Sequence, residues 1–270
     1  MTALRRPGRL TAIIPAGGKG RRMQAAFPGV PKIMLPVCRR PMIRRLTESV
    51  AAAGIADEIV VVVSPDARGV IEDELRSLSP SYAEQREPLG TAHAVACAAD
   101  VAARSEYVMV LFADQPLISA HSLRLLVRQH MASGPAITLC TVLIPDFDDW
   151  RVPFYDYGRV IRATNNQVER IVEVKNATAA ELAVKELNPS LYCFTGAFLW
   201  NALKMLNADN AQGEYLLTDV VSLAVQAGER VEAISIDDPR ETLGANSPSQ
   251  LRMLEVVCEQ LMDPASPPPR

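Results

Sequence analysis

The sequence predicts a doubly wound, mostly parallel α/β fold, and two observations lead to that prediction. Short runs rich in Val, Ile and Leu alternate with amphipathic segments over the first half of the chain. Continuous apolar runs are typical of parallel strands covered on both faces, and the alternating helices supply the covering layers. The chain has 270 residues, of which 49% are hydrophobic and 22% charged. It is therefore long enough to bury a large core in one large domain or two small ones.

Four strands and four helices are predicted in this first half. The strands are the apolar runs 10–14, 58–63, 107–112 and 136–144, and the helices are the segments 42–53, 70–78, 92–103 and 121–132. Pro41 suits a first helical turn, and Ser119 suits a helix cap. Because ligands of such sheets bind at the carboxyl ends of the strands, we expect the residues after Ile14 and Leu111 to border one cleft.

The pattern changes after Pro145. Residues 146–157 are predicted as a loop, 158–162 and 168–172 as a hairpin around Asn165-Asn166, and 187–194 and 231–236 as strands. Helices are predicted at 179–184, 198–206 and 215–228, and a last one begins at Ser247-Pro248. The proline-rich tail 263–270 is expected to be disordered. We expect residues 1–262 to form one domain, with halves at about 1–144 and 145–262.

A glycine-rich loop follows the first predicted strand. Residues 13–23 read Ile-Ile-Pro-Ala-Gly-Gly-Lys-Gly-Arg-Arg-Met, and Lys32 follows nine residues later. Glycines let backbone N–H groups approach a ligand, and the cations match a polyphosphate. The P-loop spacing is missing, and Met23 stands where a dinucleotide fingerprint needs its third glycine. A flexible turn remains the alternative interpretation.

Charge and cysteine usage exclude several classes of function. The first 47 residues hold eleven Lys and Arg and no acidic residue, whereas the whole chain has a net charge of −3. Such local concentration differs from the extended basic field of a nucleic-acid-binding protein, although Arg5, Arg6 and Arg9 suit a solvated basic arm. Five dispersed cysteines without a C-x-x-C pair indicate reduced thiols in the cytoplasm. No apolar run approaches the ~20 residues of a membrane span, and we expect no targeting segment.

Several motifs, in order along the chain, resemble those of the sugar-phosphate nucleotidyltransferase family. They are the glycine-rich loop with Pro31-Lys32, Leu-Gly-Thr-Ala-His-Ala at 89–94, Phe-Ala-Asp at 112–114, Tyr-Gly-Arg-Val at 157–160, Ile-Val-Glu at 171–173, Glu-Leu-Asn at 186–188, Asn-Ala-Gln-Gly-Glu-Tyr-Leu-Leu-Thr-Asp at 210–219 and Gly-Ala-Asn at 244–246. The 210–219 segment is most similar to uridyltransferases that act on N-acetylglucosamine-1-phosphate. The resemblance implies a Rossmann-like nucleotidyltransferase fold with an inserted, β-rich sugar-binding lobe.

The resemblance also implies the substrates and the nucleotide-site residues. The expected reaction transfers a uridylyl group from UTP to N-acetylglucosamine-1-phosphate, giving UDP-N-acetylglucosamine and pyrophosphate, with Mg²⁺ as cofactor. Arg22 and Lys32 are the implied catalytic residues, which hold the triphosphate. The implied nucleotide-binding residues are Pro15, Ala16, Gly17, Gly18, Gln85, Gly90 and Thr91. Gln85, Gly90 and Thr91 are expected to read the base, since a side-chain amide both donates and accepts hydrogen bonds. His93 is expected to be structural.

Sugar and metal sites are implied in the same way. The implied sugar-binding residues are Gly158, Glu173, Asn188 and Phe112, and the implied Mg²⁺ ligands are Asp114 and Asn246. Oxygen ligands of this kind suit a hard cation that keeps most of its water and phosphate ligands. We expect UTP and a sugar-1-phosphate as partners and neither nucleic acid nor membrane, and the oligomeric state is left open.

Two departures from the family pattern keep other functions open. Phe112-Ala113 replaces Tyr-Gly before the aspartate, and Pro189-Ser190 replaces Thr-Gly after Asn188. Proline removes one N–H donor from the implied sugar pocket, so the sugar accepted can differ. The alternatives are a related enzyme for another base or sugar, such as glucose-1-phosphate, or a non-catalytic nucleotide-binding regulator. A bifunctional member of the resembled family carries a β-helix acetyltransferase in addition to the uridyltransferase. No hexapeptide β-helix repeat is present in this sequence, so we expect no acetyltransferase activity.

Overall fold

A ten-stranded mixed sheet organises the molecule. The computed structural model describes residues 8–18 and 20–262. The predictions for Arg5, Arg6 and the tail 263–270 lie outside the described residues, and so does Lys19. The strands are β1 Leu10–Pro15, β2 Pro36–Val37, β3 Arg40–Pro41, β4 Glu58–Val63, β5 Ser81–Glu84, β6 Tyr107–Val110, β7 Ile137–Leu143, β8 Gly158–Arg162, β9 Val168–Val172, β10 Glu186–Asn188, β11 Tyr192–Thr195 and β12 Val231–Ser235.

The sheet is mostly parallel in the part that contains β1, which the glycine-rich loop follows. Its order is β5-β4-β1-β6-β11-β7-β10-β8-β9, with β12 paired to β7, and β2 and β3 form a separate hairpin. The strands β5, β4, β1, β6, β7 and β12 are parallel to one another, and β11, which lies between β6 and β7, is antiparallel to both. Beyond β7, the strands β10, β8 and β9 are antiparallel. The prediction of a doubly wound, mostly parallel fold is confirmed.

Helices cover both faces of this sheet. The α-helices are α1 Arg21–Gln24, α2 Met42–Ala53, α3 Arg68–Leu75, α4 Thr91–Cys97, α5 Ala99–Ala102, α6 Ala120–Ser133, α7 Ala179–Leu182, α8 Gly196–Met205, α9 Asp219–Gln226 and α10 Pro248–Met262. Short 3-10 helices lie at Lys32–Met34, Pro65–Ala67, Arg76–Leu78, Asp149–Asp156, Val174–Asn176 and Pro239–Thr242. No described helix is long and apolar enough to cross a membrane.

Alternation along the central strands divides the core into two layers. Ile14 of β1 and Val61 of β4 pack with apolar residues of α2, α6 and α10. Their chain neighbours Ile13 and Val60 face the opposite layer, with residues of α4, α8 and α9. All four side chains are fully buried, and full burial of one such side chain contributes about 1.5–3 kcal/mol. Burial on both faces explains why these strands have continuous apolar sequences.

The predicted strand at 187–194 is wrong as a single element. It divides into β10 and β11, which both run antiparallel to β7. The residues between them include Pro189, which has no N–H to donate, and Ser190, whose φ is 57°. β10 therefore pairs with β8 on its other edge, and β11 pairs with β6. The break joins the parallel part of the sheet to its antiparallel extension.

Three smaller differences follow from local chemistry. The predicted helix at 92–103 is two helices, α4 and α5, separated at Ala98. The predicted loop at 146–157 contains a 3-10 helix at Asp149–Asp156. The helix expected from residue 215 begins only at Asp219, because the backbone of Tyr215 pairs with Leu89 and Ala92 instead.

Candidate active site

A cleft of about 600 Å³ lies at the carboxyl ends of the central strands. Ala113 N–H donates to the Pro15 carbonyl, which joins the segments that follow β1 and β6. The cleft is lined by all seven residues expected to bind the nucleotide: Pro15, Ala16, Gly17, Gly18, Gln85, Gly90 and Thr91. Lys32, Phe112 and Asp114 also line it. The strand ends thus bring together residues that are about 100 positions apart in the sequence, as predicted.

The two adjacent glycines of the loop, Gly17 and Gly18, have different surroundings. The Ala16 N–H donates to the Val62 carbonyl at 2.7 Å, which continues the parallel pairing beyond β1. A Cβ at Gly17 would lie 3.2 Å from Gln85 Oε1 and 3.3 Å from the Ser64 nitrogen. A Cβ at Gly18 would meet nothing within 4 Å. Close packing therefore favours glycine at position 17, whereas position 18 leaves its backbone open to the cleft.

The segment 89–92 is held to the segment 215–217 by backbone pairing. Tyr215 N–H donates to the Leu89 carbonyl at 2.8 Å, and Ala92 N–H donates to the Tyr215 carbonyl at 2.9 Å. Gly90 has a φ of 120°, and a Cβ there would lie 2.7 Å from the Tyr215 nitrogen and closer still to its carbonyl oxygen. The Thr91 hydroxyl accepts the Leu217 N–H at 2.9 Å. Glycine is required at position 90 by both conformation and space.

Lys32 joins the two residues expected to bind metal. Its Nζ donates to Asp114 Oδ2 at 2.7 Å and to Asn246 Oδ1 at 2.6 Å. The Lys32 side chain is only 11% exposed. Ala245 N–H donates to the Asp114 carbonyl at 3.2 Å, and Asn246 N–H donates to Gln250 Oε1 at 2.8 Å. These bonds fix two side-chain oxygens on one cationic centre.

The same donor set fits a magnesium ion. One carboxylate and one amide oxygen converge on a point already occupied by a positive group. Mg²⁺ usually takes one or two protein ligands and completes its shell with phosphate and water. Among the described residues no cluster of three or more His, Cys, Asp or Glu forms a self-sufficient metal site. The geometry therefore suits a cation that shares its ligands with a bound phosphate.

Arg22 makes no hydrogen bond or ion pair with Lys32, Asp114 or Asn246. Its Nη1 lies 3.6 Å from Asp156 Oδ2, and the two side chains are 62% and 51% exposed. An exposed pair of this kind contributes little stability, so Arg22 is free to exchange partners. Arg22 lines a further cavity of about 420 Å³ with Glu173, Lys175 and Asn246, and this cavity shares Thr91 and Phe112 with the 600 Å³ cleft. Lys32 is thus a nearly buried lining residue of the 600 Å³ cleft, whereas Arg22 is exposed and lines the 420 Å³ cavity.

The residues expected to bind the sugar line a third cavity, of about 180 Å³. Gly158, Glu173, Asn188 and Phe112 line it together with Asp114 and Asn246. A Cβ at Gly158 would lie 2.8 Å from Ile171 Cγ2, so a side chain is excluded there. Asn188 is 3% exposed.

Two polar side chains of this cavity are already held by protein groups. Asn188 Nδ2 donates to Tyr192 Oη at 2.7 Å, and Asn188 Oδ1 accepts the Ser190 N–H at 3.1 Å. Glu173 Oε1 accepts the Thr218 hydroxyl at 3.2 Å. Burial raises the pKa of the Glu173 carboxyl, the Thr218 hydrogen bond lowers it, and Asp219 raises it further. This carboxyl is therefore held in an environment that disfavours its charged form.

Sequence reasoning included Tyr157 and Arg159 in a family motif but assigned neither of them a role. Tyr157 Oη donates to the Thr242 carbonyl at 2.6 Å and accepts the Gly244 N–H at 3.1 Å. Burial raises the pKa of Tyr157, so its hydroxyl stays protonated. Arg159 is fully buried, and its Nη1 donates to the carbonyls of Tyr155 and Tyr157. The available signal was the aromatic-rich segment directly before Gly158.

Fold and cleft together define a class of enzyme. The sequence profile of the nucleotidyl transferase family matches residues 11–239, which span β1 to the start of the last 3-10 helix. The chain belongs to the nucleotidyl transferase family.

Curated relatives of the chain share one name. The chain is 39% identical over 256 residues to the "Bifunctional protein GlmU" of Brevibacillus brevis, which covers 93% of this chain and 52% of the relative. It is 40% identical over 243 residues to that of Geobacter sulfurreducens, covering 90% and 49%. It is 37% identical over 247 residues to that of Bacillus cereus strain G9842, covering 91% and 51%. The chain spans about half the length of the curated relatives it matches.

Proposed function

We propose that the protein transfers a uridylyl group from UTP to N-acetylglucosamine-1-phosphate, giving UDP-N-acetylglucosamine and pyrophosphate in a Mg²⁺-dependent reaction. The observation that supports this most strongly is the position of Asp114. Asp114 lines both the 600 Å³ cleft and the 180 Å³ cavity, together with Thr91 and Phe112. A nucleotide in the first and a sugar phosphate in the second would meet at that carboxylate.

The roles of the cationic residues follow from their positions. Transfer to a sugar phosphate joins two anionic groups, so the site must neutralise charge and align the reactants. Lys32 in the 600 Å³ cleft and Arg22 in the 420 Å³ cavity would hold the triphosphate and offset the charge that develops on the leaving pyrophosphate. The acidic partner of Arg22 is exposed and 3.6 Å away, so a triphosphate of higher charge can replace it, whereas Lys32 is nearly buried and holds Asp114 at 2.7 Å.

The remaining residues bind and orient. The backbone of residues 15–18 faces the nucleotide, and Gln85, Gly90 and Thr91 border the base. Gly158, Glu173, Asn188 and Phe112 border the sugar. Asp114 and Asn246 would hold Mg²⁺, which when bound supplies charge neutralisation on the phosphate oxygens. We also propose that residues up to 262 form one nucleotidyltransferase domain; its cytoplasmic location stays a prediction.

A second candidate differs only in the sugar. Pro189 and Ser190 form the break between β10 and β11, and Ser190 lines the 180 Å³ cavity. Pro189 has no N–H to donate, and Phe112, another departure from the family pattern, lines the same cavity. A sugar-1-phosphate with different substituents, such as glucose-1-phosphate, is therefore the alternative acceptor.

Pyrophosphate release tests both candidates in one experiment. The purified protein is assayed with UTP, dTTP, CTP, GTP and ATP against N-acetylglucosamine-1-phosphate, glucose-1-phosphate and N-acetylgalactosamine-1-phosphate, with reactions lacking Mg²⁺ or sugar as controls. The proposal predicts a maximum at UTP with N-acetylglucosamine-1-phosphate. A maximum with glucose-1-phosphate favours the second candidate. Nucleotide binding without turnover in any combination would favour a regulatory protein.

A further inference from the structure

The side chain of Gln85 makes two contacts through the same nitrogen atom. Nε2 lies 3.1 Å from the Gly90 carbonyl oxygen and 3.1 Å from His93 Nδ1. Gln85 is 5% exposed, so these contacts are not interchangeable with water. The expectation that this amide reads the base stays a prediction; Nε2 contacts the Gly90 carbonyl and His93 Nδ1 within the protein, which leaves Oε1 as the atom of the amide open to a base.

Two neighbours determine which way the Gln85 amide faces, the Gly90 carbonyl and His93 Nδ1. A carbonyl oxygen only accepts hydrogen bonds, so the amide nitrogen must face it. The same nitrogen then donates its second proton to His93 Nδ1, which must be unprotonated. This contact requires the His93 tautomer whose proton is on Nε2, and that atom lies 3.9 Å from Cys97 Sγ. Reversing the amide would place two oxygens against each other at Gly90.

With both Nε2 protons in use, Gln85 presents only an acceptor to the cleft. Its Oε1 faces the glycine-rich loop, 3.2 Å from the position a Cβ on Gly17 would take. The N3 position of uracil and thymine carries a proton, whereas the N3 of cytosine is itself an acceptor. A fixed acceptor at this edge would favour a base with an N–H and oppose one with a lone pair.

We propose that His93 is a positioning residue that sets the base preference of the nucleotide site by fixing the orientation of the Gln85 amide. This inference rests on the proposed function, in which Gln85 borders the base. His93 acts through Gln85 and does not itself line the 600 Å³ cleft. A histidine expected to be only structural therefore selects for uracil over cytosine.

Two substitutions at position 93 separate this role from simple packing. H93N keeps an acceptor oxygen close to the position of Nδ1, whereas H93L has a similar branched shape and no acceptor. Without that acceptor only the Gly90 carbonyl still holds the amide, so the reversed amide, which offers its N–H to cytosine, becomes less unfavourable. H121L, at an exposed histidine in the first turn of α6, is the matched control.

The readout is the ratio of the dissociation constants of CTP and UTP, measured by titration calorimetry without sugar phosphate. Wild type and H121L are expected to prefer UTP, and H93L to lower that preference about tenfold, the equivalent of one hydrogen bond. H93N is expected to stay within about threefold of wild type. An unchanged ratio in H93L, with UTP still preferred by wild type, overturns the role of His93 and leaves the proposed function intact. Wild type that does not prefer UTP contradicts both.

A second measurement uses the wild-type protein and does not depend on how H93L folds. Long-range ¹H–¹⁵N spectra of histidine side chains report which ring nitrogen carries the proton, and the chain has three histidines. Comparison with H93N assigns the His93 signals. The inference predicts a neutral ring protonated at Nε2, and protonation at Nδ1 would overturn it.

Discussion

Buried His130 makes the stability of the protein depend on pH in a way that one substitution can isolate. The His130 ring is fully buried, its Nδ1 lies 2.9 Å from Thr138 Oγ1, and its Nε2 has no hydrogen-bond partner. The ring packs edge-on against Tyr107 at 5.5 Å between centroids. Burial lowers the pKa of His130 from 6.5 to about 4, against a smaller opposing effect of Glu232.

The sign and size of the effect follow from these two pKa values. Between pH 6.5 and 4 the unfolded chain binds a proton at His130 and the folded protein does not, so acid favours unfolding. One pH unit corresponds to about 1.4 kcal/mol, so the whole interval costs about 3 kcal/mol of stability. At pH 5 the loss relative to pH 8 is about 2 kcal/mol.

Urea denaturation of wild type and His130→Asn at pH 8, 6.5 and 5 measures this contribution. The variant is expected to be less stable at pH 8, because it leaves a cavity beside Tyr107. Its stability should nevertheless fall by about 2 kcal/mol less than that of wild type between pH 8 and pH 5. His121→Asn, at an exposed histidine, should follow wild type. Parallel pH profiles for wild type and His130→Asn would refute the reasoning.

Three further substitutions test the site. Lys32→Met should lower turnover by about 10²–10³-fold; because it frees two oxygens, paramagnetic resonance should show tighter Mn²⁺ binding without nucleotide than in wild type. Gly90→Ala should lower the melting temperature and abolish nucleotide binding, because the new Cβ would overlap the backbone of Tyr215. The control Gly69→Ala, whose new Cβ would lie in open space, should do neither. Equal melting temperatures for the two variants would contradict this prediction. Arg159→Met leaves the carbonyls of Tyr155 and Tyr157 without their buried donor, which should lower the stability of the protein by about 1–3 kcal/mol for each carbonyl. KM for the sugar phosphate should rise more than KM for UTP. Equal increases would argue against a role of Arg159 at the sugar cavity.

Elements buried on both faces of the sheet could be predicted from the sequence. The strands β1 and β4 lie where continuous apolar runs placed them, because most of their side chains are buried on both faces of the sheet. The edge strand β5 was not predicted, since Ser81–Glu84 is half-buried throughout and its sequence has no strong period. The division of β10 from β11 reflects their different partners, since β10 pairs with β8 and β11 pairs with β6. The hydrophobic pattern of residues 187–194 does not contain that information.

The candidate site was predicted unevenly. The glycine-rich loop and Asp114 follow strands, so the topology of the sheet was enough to place them in one cleft. Asn246 lies 214 positions from Lys32, and only the family pattern pointed to it before the structure showed their contact. The contact between His93 and Gln85 depends on how α4 turns away from Gly90, and no sequence signal identified it. Donor and acceptor roles of this kind become visible only once the partners are known.

The rate of pyrophosphate release by Asp114→Ala, compared with wild type, tests the central claim most directly. The assay contains UTP, N-acetylglucosamine-1-phosphate and Mg²⁺, and circular dichroism confirms that both proteins are folded. Asp114 lies where the two cavities meet, so the account predicts a loss of at least about 10²-fold. A folded Asp114→Ala protein that turns over at the wild-type rate would contradict the assignment of this cleft as the active site.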